Sequence, residues 1–285
     1  MDMHDKCPTT TNMKNENNSC YLDTILFAMM HDPTSPTCRF LCKLKPQKDT
    51  LTTQLVQKEL NKVATSFKEN QPQPSLAPLR QLLQKIQTSP NALNWTRAQA
   101  EPLDFILLLQ DVFKVRNCIK FKEEVRAEGN QLVNSRLVRS PFLDLVDASV
   151  KKLHTIYPKR VIKMTFDKEA LWRKKYKLRK ETRTLVSCSK FLMVHVNRLL
   201  DGVSKSTEPV TPMSKITMAN GTTIYLRSIL VHHGSARGGH YTCVYKCKRM
   251  GKWYEFDDMK KGVHKQVDNY KSTYNLENAT DFIYW

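Results

Sequence analysis

Apolar positions divide the chain into a first part with a helical period and a second part with the texture of strands. After Cys20, the residues Leu22, Ile25, Leu26 and Met29 fall at the i, i+3, i+4, i+7 spacing of one helix face, and Pro33 ends the run. Asn18 or Ser19 stands where an N-cap is needed, which places Cys20 in the first turn. The same period returns over residues 51–67, a proline-broken stretch at 69–75 interrupts it, and a short helix follows at 79–86. Pro102 suits the first position of another helix running through Phe105, Leu108, Leu109, Val112 and Phe113, with Glu101 and Asp104 at its start. From residue 118 the runs become β-rich, at 118–121, 142–146 and 191–196. Segments 216–219 and 222–231 flank Asn220-Gly221, a strong hairpin signal, and 240–247 with 253–256 form a second hairpin around 249–251. A last strand is expected at 282–285. Helices first, strands second and no internal repeat predict an α+β fold.

The 285 residues suit one elaborated domain, and 40% apolar content is enough for a buried core. No apolar run approaches the roughly 20 residues that cross a bilayer, so no membrane association is expected. Residues 1–14 carry no apolar signal region, which points to a reducing compartment, cytoplasmic and/or nuclear. There the eight cysteines are expected as free thiols. The closest pairs, Cys38 with Cys42 and Cys243 with Cys247, lack the Cys-x-x-Cys spacing, so neither a structural zinc nor any cofactor is expected. The net charge of +19 gives a field that attracts nucleic acid or acidic proteins without naming either. Its densest run, 173–180, reads as a solvated face, an import signal or an RNA-contacting strip.

Chemistry enters with Cys20 and His240. A thiol of ordinary pKa, about 8.5, is a poor nucleophile at neutral pH, and a helix N-terminus together with an imidazole activates it. His240, inside Gly238-Gly239-His240-Tyr241, is the candidate base. Asp257 follows 17 residues later (257 − 240) and would hold the ring in one tautomer, with Asp258 as the competing carboxylate. If the two face each other directly across the hairpin, its centre lies between Lys248 and Arg249. A two-residue slip would separate them by about 7 Å. Asn15 and the Cys20 amide are candidate donors to an oxyanion. His232 reads as structural or cleft-lining, and His154, His195 and His233 carry no signal of their own.

Asn15-x-x-Asn18-Ser19-Cys20-Tyr21-Leu22 resembles the Cys box of the papain-like ubiquitin-specific proteases, Asn-x-Gly-Asn-Thr-Cys-Tyr. His232-His233-Gly234-Ser235, Gly239-His240-Tyr241 and Trp253-Tyr254-x-Phe256-Asp257-Asp258 are similar to their His box. Glu101-Pro102-Leu103-Asp104-Phe105, Pro141-Phe142-Leu143-Asp144-Leu145 and Val194-His195-Val196-Asn197-Arg198 resemble intervening elements, in the family's order from 13 to 285. The resemblance implies one catalytic domain over 1–285, papain-like, with a helical thumb (14–115), short β fingers with part of the palm (116–190) and a β-rich palm (191–285). It implies Cys20, His240 and Asp257 as the catalytic set, Asn15 at the oxyanion, and monomeric action on ubiquitin or a ubiquitin-like modifier. The basic tail of ubiquitin, Arg-Leu-Arg-Gly-Gly, would meet Glu101 and Asp104, with Gly239 and Tyr241 along its path. The different-class alternative is an inactive basic module that binds without cleaving. Three departures stand out: Asn17 replaces the box's glycine, Glu101 and Asp104 exchange the family's Asp and Glu, and the finger region lacks the zinc knuckles, which implies metal-free fingers.

Overall fold

The first apolar run folds as α1 (Cys20–Met30), and all of its residues are buried, Asp23 and Thr24 included. Leu22, Ile25, Leu26 and Met29 read as a one-faced stripe, but a helix apolar nearly all round belongs in the interior. The computed structural model describes residues 13, 15–87, 93–115, 119–126, 132–140, 143–147, 159–166, 178–188, 190–198, 204–218, 220–260 and 264–285. Cys118, Pro141, Phe142, His154, Ala219 and the 173–177 part of the basic run lie outside the described residues.

Around α1 stand α2 (Pro36–Leu41), α3 (Leu51–Glu69), α4 (Ala77–Ile86) and α5 (Pro102–Val112). Their ends follow from local chemistry. Ser35 caps α2 through the Cys38 amide, Thr50 and Thr53 form a reciprocal box at the start of α3, and Asn70 closes α3 at φ 54°. At α5, Asp104 Oδ2 accepts from the Glu101 amide at 2.8 Å.

The strands are β1 (Ile119–Arg126), β2 (Leu132–Ser140), β3 (Leu143–Asp147), β4 (Lys159–Phe166), β5 (Leu178–Cys188), β6 (Leu192–Asn197), β7 (Lys215–Thr217), β8 (Thr223–Ser235), β9 (Gly238–Lys246), β10 (Trp253–Phe256), β11 (Lys265–Val267) and β12 (Ala279–Tyr284), with α6 (Thr273–Asn278) before the last. Among the described residues they form two sheets. One is antiparallel in the order β2-β1-β5-β4, where the sequence pattern had signalled only 118–121. The larger runs β11-β10-β9-β8-β12-β6-β3, with β7 on β8, and only β3–β6 is parallel. The helices pack on one face of this sheet around α1, and a second apolar core centred on Ile229, Phe282 and Tyr284 lies apart from them. No described helix is long and apolar enough to cross a membrane.

Candidate active site

Cys20 and His240 come together because α1 is bound to β9 and β8 along its length. Thr24 Oγ1 donates to the Tyr241 carbonyl (3.1 Å), Ser228 Oγ donates to the Ala28 carbonyl (3.3 Å), and the Phe27 ring stacks on Phe256 with centroids 4.0 Å apart. Thr24 lies one turn beyond Cys20, and Tyr241 is the neighbour of His240. The helix start is therefore fixed against the strand that carries the imidazole. A cleft of about 670 Å³ is lined by Asn15, Cys20, Gln99, Gly239, His240 and Asp258, among others. A recess of about 180 Å³ continues past Cys20, Gln99 and Gly239 and is lined by Glu101, Asp104, His232 and Tyr241. A larger cleft of about 870 Å³ between α3, α4 and α5 has neither thiol nor imidazole in its wall.

His240 Nε2 lies 2.8 Å from Asp257 Oδ1 and 3.4 Å from Asp258 Oδ1, which favours Asp257 as the orienting carboxylate. With Nε2 taken, Nδ1 is the nitrogen left for proton transfer with a thiol. The register differs from the direct-opposition expectation. Tyr254 pairs with Tyr245 and Phe256 with Cys243, so Asp257 is offset by two positions from the residue opposite His240. The contact forms because β10 ends at Phe256 and the chain turns, leaving Asp257 free of the ladder. Burial pushes the Asp257 carboxyl up, but the His240 ring, Lys260 Nζ at 3.0 Å and the Met259 amide at 3.1 Å outweigh it and hold it below its ordinary value. Ligand atoms of His240, Asp257 and Asp258 come within 4.8 Å of one another, a spacing a metal could use. Lys260 already supplies a cation to Asp257, and the Nε2 lone pair or proton is engaged, so the donor set does not fit a metal.

At the Cys20 thiol, burial works against the helix terminus. Cys20 is 3% exposed, and burial pushes it up to about 11, with Asp258 and Asp23 adding to the rise against the backbone hydrogen bonds at Tyr241 and Tyr21. At neutral pH it carries its proton. Behind it lies a pair of buried acids. Asp23 is wholly enclosed, raised well above the carboxylate range first by burial and then by Asp258, and Asp258 is itself raised by burial. The proton that Asp23 keeps makes it a hydrogen-bond donor to Asp258, which works against the rise at Asp258.

The loop before Cys20 holds Asn17 at φ 51° and Asn18 at φ 61°. Asparagine therefore serves where the family box has glycine, because its short polar side chain tolerates the left-handed region. Ser19 occupies the N-cap position but does not cap with its side chain. Its Oγ accepts from the Glu16 amide (2.8 Å) and donates to Asp23 Oδ2 (2.5 Å). Two supports of this loop were not read from the sequence. Arg80 on α4 donates to the carbonyls of Glu16, Asn17 and Trp95, and Gln99 exchanges two hydrogen bonds with the Gly239 backbone (3.0 and 3.3 Å).

In the recess, burial raises the Glu101 carboxyl while His195 works against it. Burial would lower His195, but the charge of Asp281 and its hydrogen bond at 2.8 Å prevail and raise it. His195, which carried no signal in the sequence, is thus held in the interior by Asp281, with a side chain only 6% exposed. Burial pushes His232, on the recess wall, down to about 4, keeping it neutral. Among the described residues, Cys20, Cys38, Cys42 and Cys243 are free thiols.

The fold resembles two solved structures of one assembly. The SAGA DUB module of Ubp8, Sgf11, Sus1 and Sgf73 bound to monoubiquitin contains a chain 15% identical, with a TM-score of 0.67 over 99% of this chain and 70% of that one. The same module bound to ubiquitin aldehyde gives 17% identity, the same TM-score and the same coverage. At these identities the likeness establishes the papain-like ubiquitin-specific protease fold. No curated protein matches in sequence. The family model of ubiquitin carboxyl-terminal hydrolases matches residues 11–280, nearly the whole chain and both boxes around Cys20 and His240. This chain belongs to the ubiquitin carboxyl-terminal hydrolase family, the cysteine deubiquitinases.

Proposed function

We propose that the chain hydrolyses the isopeptide or peptide bond after the C-terminal glycine of ubiquitin, with Cys20 as nucleophile, His240 as base and acid, and Asp257 as orienter. The observation that carries the reading is the His240–Asp257 contact at 2.8 Å in a chain whose Cys20 and His240 line one cleft. Cys20 Sγ attacks the carbonyl carbon as its proton passes to His240 Nδ1. A thiol held near 11 favours transfer during attack over a thiolate formed beforehand. Asn15 and the Cys20 amide stabilise the developing oxyanion. The imidazolium then protonates the leaving amine, a thioester remains on Cys20, and water activated by His240 releases the carboxylate. Glu101 and Asp104 in the recess supply acidic groups for the tail's arginines, and Gly239 and Tyr241 border its path.

The helical residues 14–115 act as thumb, 116–190 supply the fingers and part of the palm, and 191–285 form the β-sheet palm that carries the His box. On this reading the protein works as a monomer in the cytoplasm or nucleus, and its +19 charge favours contact with nucleic acid or acidic proteins. Ubiquitin bearing a C-terminal propargylamide tests the assignment. An adduct with the wild type that is lost in Cys20→Ala supports it. Labelling only by a different modifier's probe would move the substrate to that modifier, and no adduct with any probe would leave a non-cleaving binding module.

A further inference from the structure

We infer that Arg80 is a positioning residue for this reaction, holding the Asn15–Ser19 loop and the Gln99 segment in the geometry that the oxyanion requires. The inference rests on the functional reading above. Arg80 lies on α4 and is 3% exposed. Its Nη1 donates to the Glu16 carbonyl at 2.6 Å, Nη2 to the Asn17 carbonyl at 2.8 Å and Nε to the Trp95 carbonyl at 2.5 Å. None of the three acceptors is a carboxylate. A buried guanidinium held by main-chain dipoles is costly to desolvate, so a charge here calls for a reason beyond packing.

The carbonyls it takes explain the reason. Across a trans peptide the carbonyl and the following amide point in opposite directions. Fixing the Glu16 and Asn17 carbonyls therefore turns the amides of Asn17 and Asn18 away from Arg80. These are the two residues held in the left-handed region, a conformation that persists only where its surroundings impose it. The loop they form begins with Asn15, on the wall of the cleft that contains Cys20 and His240. The third bond secures Trp95, four residues before Gln99, whose side chain meets the Gly239 backbone beside His240. Asn18 Nδ2 adds a direct tie to the Arg97 carbonyl at 3.2 Å. One planar, three-donor fork thus registers both segments facing the thiol. The single ammonium of lysine cannot reproduce that divergent set.

The test separates transition-state geometry from thiol access and from folding. Hydrolysis of a ubiquitin C-terminal coumarin amide is measured for the wild type, Arg80→Met and Arg80→Lys. Alkylation of Cys20 by iodoacetamide, which needs no oxyanion site, is measured alongside. We expect kcat of Arg80→Met to fall about 100-fold, the size of a lost oxyanion donor. KM and the alkylation rate should stay within about threefold, the pattern of an interaction felt only in the transition state. Arg80→Lys should recover only part of kcat, and it carries the test by the same criteria if Arg80→Met does not fold. An unchanged kcat, or kcat and alkylation falling together, would overturn the inference. Failure of the functional reading is distinguishable, because the wild type would then not cleave the ubiquitin amide at all.

Discussion

Replacing Asp23 by Asn should stabilise this protein at neutral and alkaline pH while leaving its stability nearly unchanged in acid. Asp23 and Asp258 face each other inside the molecule, and the proton that Asp23 retains is shared with Asp258. Asparagine keeps an oxygen for the Ser19 hydroxyl and offers Nδ2 to Asp258. Asparagine supplies that donor without retaining a proton, and the gain at neutral pH, the cost of holding the Asp23 proton, is on the order of 1–3 kcal/mol. That corresponds to roughly 2–4 °C in Tm for each kcal/mol in a chain of a few hundred residues. The pH dependence carries the mechanism. The folded Asp23 pKa is raised, so below about pH 4 both folded and unfolded forms are protonated and the acid costs nothing. As pH rises, the unfolded chain releases the proton while the folded chain retains it. Wild-type stability then falls by about 1.4 kcal/mol per pH unit until the folded pKa is reached. The variant has no such titration at position 23. Urea unfolding from pH 4.5 to 8.5 should show a gap in favour of Asp23→Asn that widens with pH. A variant less stable at pH 8, or a gap constant across the range, refutes the buried acid pair.

Cys20 should be alkylated by iodoacetamide at a rate still climbing at pH 10, because a shift from 9.0 to about 11 leaves roughly 100-fold less thiolate at pH 7; a plateau already reached below pH 8 would show a preformed thiolate instead. Asp257→Asn should lower kcat about 100-fold or more through the lost orientation of His240, and Asp258→Asn should cost less, since their oxygens lie 2.8 and 3.4 Å from Nε2. Reversal of that order in kcat measurements would transfer the role to Asp258. Gly239→Ala should abolish activity, because a Cβ there overlaps the His233 carbonyl and comes within 2.6 Å of His232 Nε2, both in the wall beside His240. Gly238→Ala brings a Cβ within 2.8 Å of a side-chain atom only, Gln99 Oε1, and should cost less activity than the backbone overlap at Gly239, so equal losses in the two variants would exclude this steric account.

The sequence carried α1, α3, α5 and both hairpins around Gly221 and Gly251, because each rests on local period or turn chemistry, while the Cys20–His240–Asp257 set is read from the resemblance of its boxes to the family's. Hairpin register was less legible. The two-residue offset at Asp257 depends on where β10 releases the chain, and no local pattern encodes that. The antiparallel sheet β2-β1-β5-β4 was largely missed. On β2, the strand after β1, Leu132, Val133 and Leu137 stay exposed, so no one-sided alternation betrays it.

Of the remaining misses, Asp23, His195 and Asp281 share a signature, whereas Arg80 sits on the partly exposed helix α4. Asp23 stands within Cys20-Tyr21-Leu22-Asp23-Thr24-Ile25-Leu26, His195 within Leu192-Met193-Val194-His195-Val196, and Asp281 between Thr280 and Phe282, all in segments with almost no exposure. Periodicity treats such a residue as an interruption, yet a charge in a wholly apolar segment must be buried with its element and must find a partner there. The partners lie far away in sequence, 86 residues apart for His195 and Asp281 and 63 to 64 for Arg80 and the carbonyls of the nucleophile loop. Sequence could therefore flag Asp23, His195 and Asp281 as buried polar residues, but only the fold could supply their partners and bury Arg80.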